Sequence, residues 1–210
     1  MSRYKSHFQW SRALDVAVSV VVLSILSPLL LTVAIIIRLG MGAPVLFSQA
    51  RTGFHGKSFQ FYKFRTMRNI NDANGRGLPD SERLTPLGRL LRSWSVDEIP
   101  GFVNVLKGDI SLVGPRPLLP KYMSRYTPRQ LRRHEVKPGL TGWAQVNGRN
   151  AISWEERLAL DVWYVDNKSI WLDLKIIAIT LLKVLRREGI SADGEATMPE
   201  FFGTEEHGDD

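Results

Sequence analysis

The chain has 210 residues, no cysteine and a formal net charge of +7. The lack of cysteine excludes disulfides and thiolate chemistry, so a metal could bind only through oxygen or nitrogen ligands. With 44% hydrophobic and 23% charged residues, the composition is neither that of a disordered chain nor that of a polytopic membrane protein.

The positive charge is concentrated in the middle of the chain. Residues 40–137 carry 17 Lys or Arg and 7 Asp or Glu, a net +10, whereas the remainder carries 11 and 14, a net −3. Such an excess is typical of proteins that bind nucleic acid, an anionic membrane surface or a phosphate-rich substrate. We expect no nucleic-acid partner, because the sequence contains no recognised nucleic-acid-binding module.

Residues 16–37 form an uncharged run of 22 residues. As a helix it would span roughly 33 Å, enough to cross a bilayer. Ser27-Pro28 lies in the middle, where proline removes a backbone hydrogen bond, and basic residues on both flanks favour the cytoplasmic side for both ends. We therefore predict a re-entrant membrane helix over residues 1–40, broken at Ser27 and Pro28. A kinked transmembrane helix is the competing interpretation.

The pattern after residue 40 predicts a mainly helical α+β fold. Residues 44–48 and 58–67 are typical of a short β-hairpin, and the leucines of 84–94 fall at helical spacing. That short amphipathic helix is typical of one lying on lipid headgroups, or equally of a surface helix packed on a core.

Further helices are predicted in the second half of the chain. We expect them to begin at Thr127 and Ser153, and the third to cover residues 170–187 as an interfacial or core helix. The predicted organisation is a membrane helix over 1–40, one folded domain over 41–190 at the membrane interface and an acidic tail over 191–210.

An acidic pair, Asp97-Glu98, precedes an apolar stretch that ends at Leu106. Ser95 and Glu98 have the spacing of a capping box, so the two acids could simply serve a helix start. Beside nearby arginines, the same pair could instead bind Mg²⁺ or attack phosphorus, since a carboxylate nucleophile that forms an acyl phosphate is established chemistry. The pair alone leaves both interpretations open.

Two later segments also have ligand-binding character. Arg116 stands between Pro115 and Pro117, which favour an extended, rigid backbone and so suit bidentate phosphate recognition by its guanidinium; a solvated arginine in a proline-rich turn is the alternative. Residues 137–150 combine glycines, amides, an aromatic side chain and Arg149 in a plausible loop for a polar ligand.

Taken together, these stretches resemble the bacterial sugar transferase family of monotopic polyprenyl-phosphate phosphoglycosyl transferases. The resemblance rests on the run with Ser27-Pro28, the segments 62–67, 97–100 and 104–109, the Gly-Pro-Arg-Pro sequence and 137–150, all in the same order. The chain looks like the minimal form of the family and is similar to the enzyme that initiates bacterial N-glycosylation.

The resemblance implies a reaction at the cytoplasmic face of the bacterial inner membrane, among membrane lipids. Asp97, assisted by Glu98, would attack the β-phosphate of a UDP-sugar and release UMP. Undecaprenyl phosphate would then take the phosphosugar from Asp97. The donor sugar is expected to be N-acetylated, with a 2,4-diacetamido sugar (N,N'-diacetylbacillosamine) as the first choice.

The resemblance also implies a set of site residues. Mg²⁺ would bind near Asp97 and Glu98, while Lys63, Arg92 and Arg116 would hold phosphates. Arg149 would be a nucleotide or structural contact. A non-catalytic basic membrane-associated module is the alternative to the whole reading, but it leaves the acidic pair and the Gly-Pro-Arg-Pro sequence without a role.

Overall fold

A computed structural model describes residues 2–70, 78–148, 152–186 and 200–204, with side chains from residue 12 onward. The helices and strands are α1 (Ser2–Met41), β1 (Leu46–Thr52), β2 (Ser58–Phe64), α2 (Asp80–Arg83), α3 (Pro86–Ser93), α4 (Phe102–Lys107), β3 (Ser111–Val113), α5 (Pro128–Leu131), β4 (Gly139–Thr141), α6 (Trp143–Val146), α7 (Trp154–Asn167) and α8 (Ile170–Arg186). Short 3₁₀ helices occur at Phe54–Gly56, Val96–Gly101, Pro120–Arg125 and Arg132–His134. The architecture is mainly helical with two small sheets, which confirms the predicted class.

Helix α1 continues through Ser27 and Pro28 without interruption. Pro28 has no N–H to donate to the carbonyl oxygen of Ser24, four residues earlier. The Ser27 hydroxyl donates to that oxygen instead, at 2.8 Å. The helix therefore shows no break in its secondary structure, and its re-entrant course stays a prediction.

The first part of α1 is attached to the rest of the protein by polar contacts. The Arg12 guanidinium donates at 2.6 Å to the carbonyl oxygen of Leu106, in the last turn of α4. The Asp15 carboxylate accepts hydrogen bonds from Ser111 Oγ and Leu112 N, both at 3.0 Å. These bonds fix the start of the long helix to α4 and β3.

The last turns of α1 are attached by apolar packing. Val33 and Ile37 are buried against Phe64 of β2 and Leu91 of α3. Both ends of the helix therefore contact the same body of the protein.

Between these two attachments, apolar side chains of α1 are exposed, including Ile25 and Leu31. Within the described residues, one helix is long and apolar enough to cross a membrane: it is α1, through its stretch Arg12–Met41, and only 11% of the most apolar window is buried. An exposed apolar surface of this length is typical of contact with lipid.

Strands β1 and β2 form the predicted hairpin, with Leu46 opposite Phe64 and Thr52 opposite Ser58. Alternate residues of a strand share a face. On β2, Phe61 therefore enters the core, and Lys63 lies on the same side.

The main core surrounds the parallel pair β3 and β4, in which Ser111 pairs with Gly139 and Val113 with Thr141. Helices α1, α4 and α8 pack against these strands, and Tyr164 of α7 donates to the carbonyl oxygen of Val113 at 3.3 Å. The fully buried side chains there include Val105, Ile110, Tyr164 and Ile176.

Two predicted helix starts are confirmed. Thr127 Oγ1 accepts from Gln130 N at 3.3 Å, and Ser153 Oγ accepts from Glu156 N at 3.1 Å. Helix α7 ends at Asn167, and α8 ends at Arg186, one residue before the end predicted for it.

The predicted amphipathic helix of 84–94 is α3. Its N-cap Thr85 accepts from Gly88 N at 2.9 Å. Leu91 is buried against α1, whereas Leu90 and Trp94 are exposed. One side of the helix therefore packs on the protein, as the surface-helix interpretation predicts, and its contact with lipid headgroups stays a prediction.

The predicted acidic tail lies largely outside the described residues. Its residues 200–204 dock on the rest of the protein: Phe201 is buried beside Tyr122 and Trp154. Glu200 forms ion pairs with Lys121 and Arg125 at 2.6 and 2.8 Å.

Substitution of Gly88 tests how closely α3 approaches the segment that follows β2. A Cβ at Gly88 would lie 2.1 Å from the carbonyl oxygen of Thr66, so alanine must displace the helix. We expect Gly88→Ala to lower the free energy of unfolding by about 1–3 kcal/mol, measured by denaturation in detergent. Gly40→Ala is the control, because a Cβ there meets nothing within 4 Å and alanine favours helix. Equal effects of the two substitutions would contradict this packing.

Candidate active site

Asp97 and Glu98 lie in the 3₁₀ helix Val96–Gly101, which we call the acidic turn. It joins α3 to α4 and packs against β2. Ser95 precedes it in the left-handed conformation, with φ +55°, and its side chain makes no cap hydrogen bond. The capping-box interpretation of Ser95 and Glu98 is therefore wrong, because the Glu98 carboxylate is directed elsewhere.

Glu98 is held by two cations from distant parts of the chain. Lys63 Nζ lies 2.6 Å from Glu98 Oε1, and Arg116 Nη2 lies 2.5 Å from the same oxygen. Arg116 Nη1 also donates to Oε2 at 3.3 Å. Burial opposes the charge of Glu98, but Arg116 and Lys63 outweigh it and hold the pKa of this carboxyl well below its ordinary value.

The same contacts act on the two cations. Burial lowers the pKa of Lys63 despite the neighbouring Glu98. The Glu98 charge raises the pKa of Arg116. Arg116 is thus engaged in a bidentate ion pair, so its alternative interpretation as a solvated turn residue is wrong.

Asp97 is in a different state from its neighbour. Its side chain is buried, with 7% exposed, yet within the described part of the chain its carboxylate has no hydrogen bond or ion pair. Burial, followed by the nearby charge of Glu98, raises the pKa of Asp97. A carboxylate that is poorly solvated and not engaged has the properties of a nucleophile.

Arg92 completes the cationic surroundings. It projects from the last turn of α3, and its Nε donates to Thr66 Oγ1 at 3.2 Å. Its charge, with those of Lys63 and Arg116, opposes the upward shift in the pKa of Asp97. The structure therefore brings together Asp97, Glu98 and these three cations, whereas Arg149 lies outside the described residues.

Of the two acids, Asp97 is better placed than Glu98 to bind Mg²⁺. Both oxygens of Glu98 are occupied by Lys63 and Arg116, while those of Asp97 are free of such partners in the described residues. No cluster of three or more His, Cys, Asp or Glu that could hold a metal occurs within those residues. This donor set fits Mg²⁺, which commonly binds through one or two carboxylates and completes its shell with water and substrate phosphates.

The predicted ligand loop, 137–150, has a packing role that the sequence did not reveal. Within its described residues, a Cβ at Gly139 would lie 2.1 Å from Gly114 N, and one at Gly142 would lie 2.1 Å from Gly114 O. These glycines allow the loop to approach the Gly-Pro-Arg-Pro sequence.

Four further charged residues lie near the site and were not predicted from the sequence to belong to it: Arg51, Arg133, Arg157 and Asp161. Asp161 gave one signal: it shares a helix face with buried Leu158 and Tyr164, and a carboxylate at such a position calls for a cationic partner. The partner itself, Arg133, could not be read from sequence.

Comparison with known proteins places the chain in a family. The model of the bacterial sugar transferase family matches residues 6–187. The chain therefore belongs to the bacterial sugar transferase family, which confirms the resemblance seen in its motifs.

Three relatives illustrate the range of sequence identity and of coverage. The chain is 54% identical over 193 residues to the uncharacterized sugar transferase EpsL of Bacillus subtilis (strain 168), covering 92% of this chain and 96% of that protein. It is 38% identical over 184 residues to the UDP-glucose:undecaprenyl-phosphate glucose-1-phosphate transferase of Escherichia coli (strain K12), covering 82% of this chain but 39% of the relative. It is 37% identical over 182 residues to the UDP-N-acetylgalactosamine-undecaprenyl-phosphate N-acetylgalactosaminephosphotransferase of Aeromonas hydrophila, covering 83% and 43%. The chain thus spans less than half the length of the two relatives whose names state a reaction.

The two acids should differ in their effect on stability. Glu98→Gln leaves Lys63 and Arg116 without a carboxylate, so we expect it to lower the free energy of unfolding by about 2 kcal/mol or more. Asp97→Asn should cause no loss at pH 7, because a carboxyl whose pKa is raised by folding destabilises the native state once it ionises.

Thermal denaturation of the two variants without Mg²⁺, in the presence of EDTA, measures both effects. A larger loss for Asp97→Asn than for Glu98→Gln would contradict this assignment of the pair.

Proposed function

We propose that this protein transfers a sugar-1-phosphate from a UDP-sugar to undecaprenyl phosphate at the cytoplasmic face of the bacterial inner membrane. The products would be UMP and an undecaprenyl-diphosphate sugar, the first membrane-bound intermediate of glycoconjugate assembly. Family membership and the reactions named for its relatives support this reaction class. Helix α1 supports the membrane setting.

The observation that carries the proposal is the state of Asp97. Its carboxylate is buried and unengaged within the described residues, and three cations lie around it. A phosphate group entering this space would meet positive charge on several sides and a nucleophilic oxygen. A basic membrane-binding module without catalysis would have no need of this arrangement.

In the first step, an Asp97 carboxylate oxygen attacks the β-phosphorus of the donor. The bond from that phosphorus to the oxygen bridging the two phosphates breaks, and UMP leaves with the bonding electrons. The phosphosugar remains on Asp97 as an acyl phosphate. In the second step, a phosphate oxygen of undecaprenyl phosphate attacks the same phosphorus, and the bond to Asp97 breaks.

The neighbouring residues have separate roles in this reaction. Lys63, Arg92 and Arg116 hold phosphate oxygens and offset the charge that develops on them. Glu98 fixes the positions of Lys63 and Arg116 through its ion pairs. Arg149 is assigned to nucleotide contact or local structure on the basis of the family resemblance.

Magnesium is proposed as the cofactor, held by Asp97 with Glu98 nearby. When bound, Mg²⁺ would neutralise charge on the diphosphate.

The re-entrant course of α1 is supported by its attachments. Asp15 and Ile37 are 22 positions apart, about 33 Å along a straight helix, and both contact the same body. The exposed apolar middle lies between them. A helix that enters and leaves by one leaflet accounts for this arrangement, since a spanning helix separates its ends across the bilayer.

The identity of the donor sugar is the most specific part of the proposal. We propose an N-acetylated sugar, with the 2,4-diacetamido sugar of bacterial N-glycosylation as the first candidate, on the basis of the family resemblance alone. A screen of UDP-sugars for UMP release, with undecaprenyl phosphate and Mg²⁺, decides among N-acetylated and plain hexose donors.

The covalent role of Asp97 is tested without acceptor. Wild-type protein with Mg²⁺ and its UDP-sugar should release about one UMP per protein and gain the mass of a phosphosugar. Asp97→Asn should lose UMP release by at least about 1,000-fold, and chelation of Mg²⁺ should stop it. Asp166→Asn is the control, because Asp166 lies in an exposed ion pair with Arg132. Turnover retained in Asp97→Asn would exclude the covalent mechanism.

The course of α1 is tested by labelling, since the chain has no cysteine of its own. Single cysteines at Ser2, at the start of α1, and at exposed Ser58 should react with a membrane-impermeant maleimide from the same side of the membrane. In sealed vesicles of known orientation, reaction from opposite sides would establish a spanning helix.

A further inference from the structure

Five consecutive residues, 114–118, have their backbone tied to other elements, and we call them the arginine segment because Arg116 is at their centre. The prolines alone do not fix this backbone. The bonds are Gly114 N to Thr141 O at 2.9 Å, Gly139 N to Pro115 O at 3.0 Å, Arg133 Nη2 to Arg116 O at 2.7 Å, Arg51 Nη1 to Pro117 O at 3.4 Å and Thr52 N to Leu118 O at 2.9 Å.

The bond to Arg116 itself comes from a buried ion pair. Arg133 donates to Asp161 Oδ2 through Nε at 3.1 Å and through Nη2 at 2.7 Å. The two side chains are 1% and 2% exposed. The same Nη2 that pairs with Asp161 also donates to the carbonyl oxygen of Arg116, so Asp161 sets the direction of that bond.

Stability alone does not explain such a pair. Removing two charges from water is costly, and apolar side chains of similar volume often serve stability as well or better. Apolar side chains could not, however, donate to the carbonyl oxygen of Arg116. The pair thus orients the backbone of a residue whose guanidinium holds Glu98 on the other side.

We propose that Arg133 and Asp161 are positioning residues for phosphoryl transfer, acting through Arg116. The inference rests on the proposed function. Neither residue touches the reacting phosphorus. Asp161 fixes the Arg133 fork, Arg133 fixes the Arg116 carbonyl, and the Arg116 guanidinium is thereby held where it meets Glu98 and the phosphate.

A double-mutant cycle separates positioning from a merely structural role. Arg133→Lys keeps a charge beside Asp161 but loses the planar fork that reaches both partners. We expect it to lower kcat/KM for the UDP-sugar by about 10- to 100-fold, since displacements near 1 Å can have effects of that size. In an Arg116→Ala background no guanidinium remains to be positioned, so the same substitution should change kcat/KM by less than about 2-fold.

Arg132→Lys is the matched control, because Arg132 is the neighbouring arginine and its ion pairs with Glu135 and Asp166 are exposed. It should leave kcat/KM unchanged. An equal loss from Arg133→Lys in both backgrounds would overturn the proposal and assign the pair to stability alone. Asp161→Glu, which keeps the charge but moves the carboxylate, repeats the cycle if Arg133→Lys does not fold.

A second readout needs no turnover and so separates the two proposals. In arginine-labelled protein, the guanidinium NMR signal of Arg116, assigned by its loss in Arg116→Lys, should shift and lose protection from exchange in Arg133→Lys. It should be unchanged in Arg132→Lys. An unchanged Arg116 signal in Arg133→Lys overturns the positioning role. Absence of UMP release by the wild-type protein with every donor overturns the proposed function and leaves this readout intact.

Discussion

The ion pairs of Glu98 with Lys63 and Arg116 are the interaction on which the site depends. They join three pieces of chain that are far apart in sequence: strand β2, the acidic turn and the arginine segment. Because both carboxylate oxygens of Glu98 accept from cations, this residue is fixed in its charged form. Its neighbour Asp97 receives no such bond within the described residues. Two adjacent acids of similar chemistry thereby acquire different surroundings: Glu98 is engaged in ion pairs, whereas Asp97 is buried beside the same cations without being bonded to them.

The different bonding of Glu98 and Asp97 explains how the cations in the basic middle of the chain are distributed between the two acids. A cluster of cations around a single acid would bind that acid tightly and make it a poor nucleophile. Here the second acid takes up two of the cations, so that Asp97 lies in their field without being bonded to them. In the proposed reaction, phosphate groups would meet Arg92 and the N–H groups of Lys63 and Arg116 that Glu98 does not use. Burial strengthens the interaction between Asp97 and the surrounding charges, because charges interact more strongly away from water.

The sequence predicted those features that depend on neighbours along the chain. The hairpin, the helix starts at Thr127 and Ser153 and the long apolar helix follow from local patterns, and all were found. The failures involve distant partners. Ser95 and Glu98 had the local spacing of a capping box, but the Glu98 side chain is oriented by its ion pairs with Lys63 and Arg116, which are distant in sequence.

The same reason hid the support of Arg116. Its flanking prolines suggested rigidity, but the backbone around Arg116 also accepts hydrogen bonds from donors elsewhere in the chain, among them Arg133, which is paired with Asp161. The glycines of 137–150 looked like a ligand cradle, and Gly139 and Gly142 proved to permit a close contact between backbones. The serine before Pro28 has a comparable hidden function. Its hydroxyl replaces the missing proton donor for Ser24, so the proline leaves no polar group bare toward hydrocarbon. Ser27 and Pro28 therefore act together. Replacing the serine alone would keep the proline but leave the carbonyl oxygen of Ser24 without this donor in lipid.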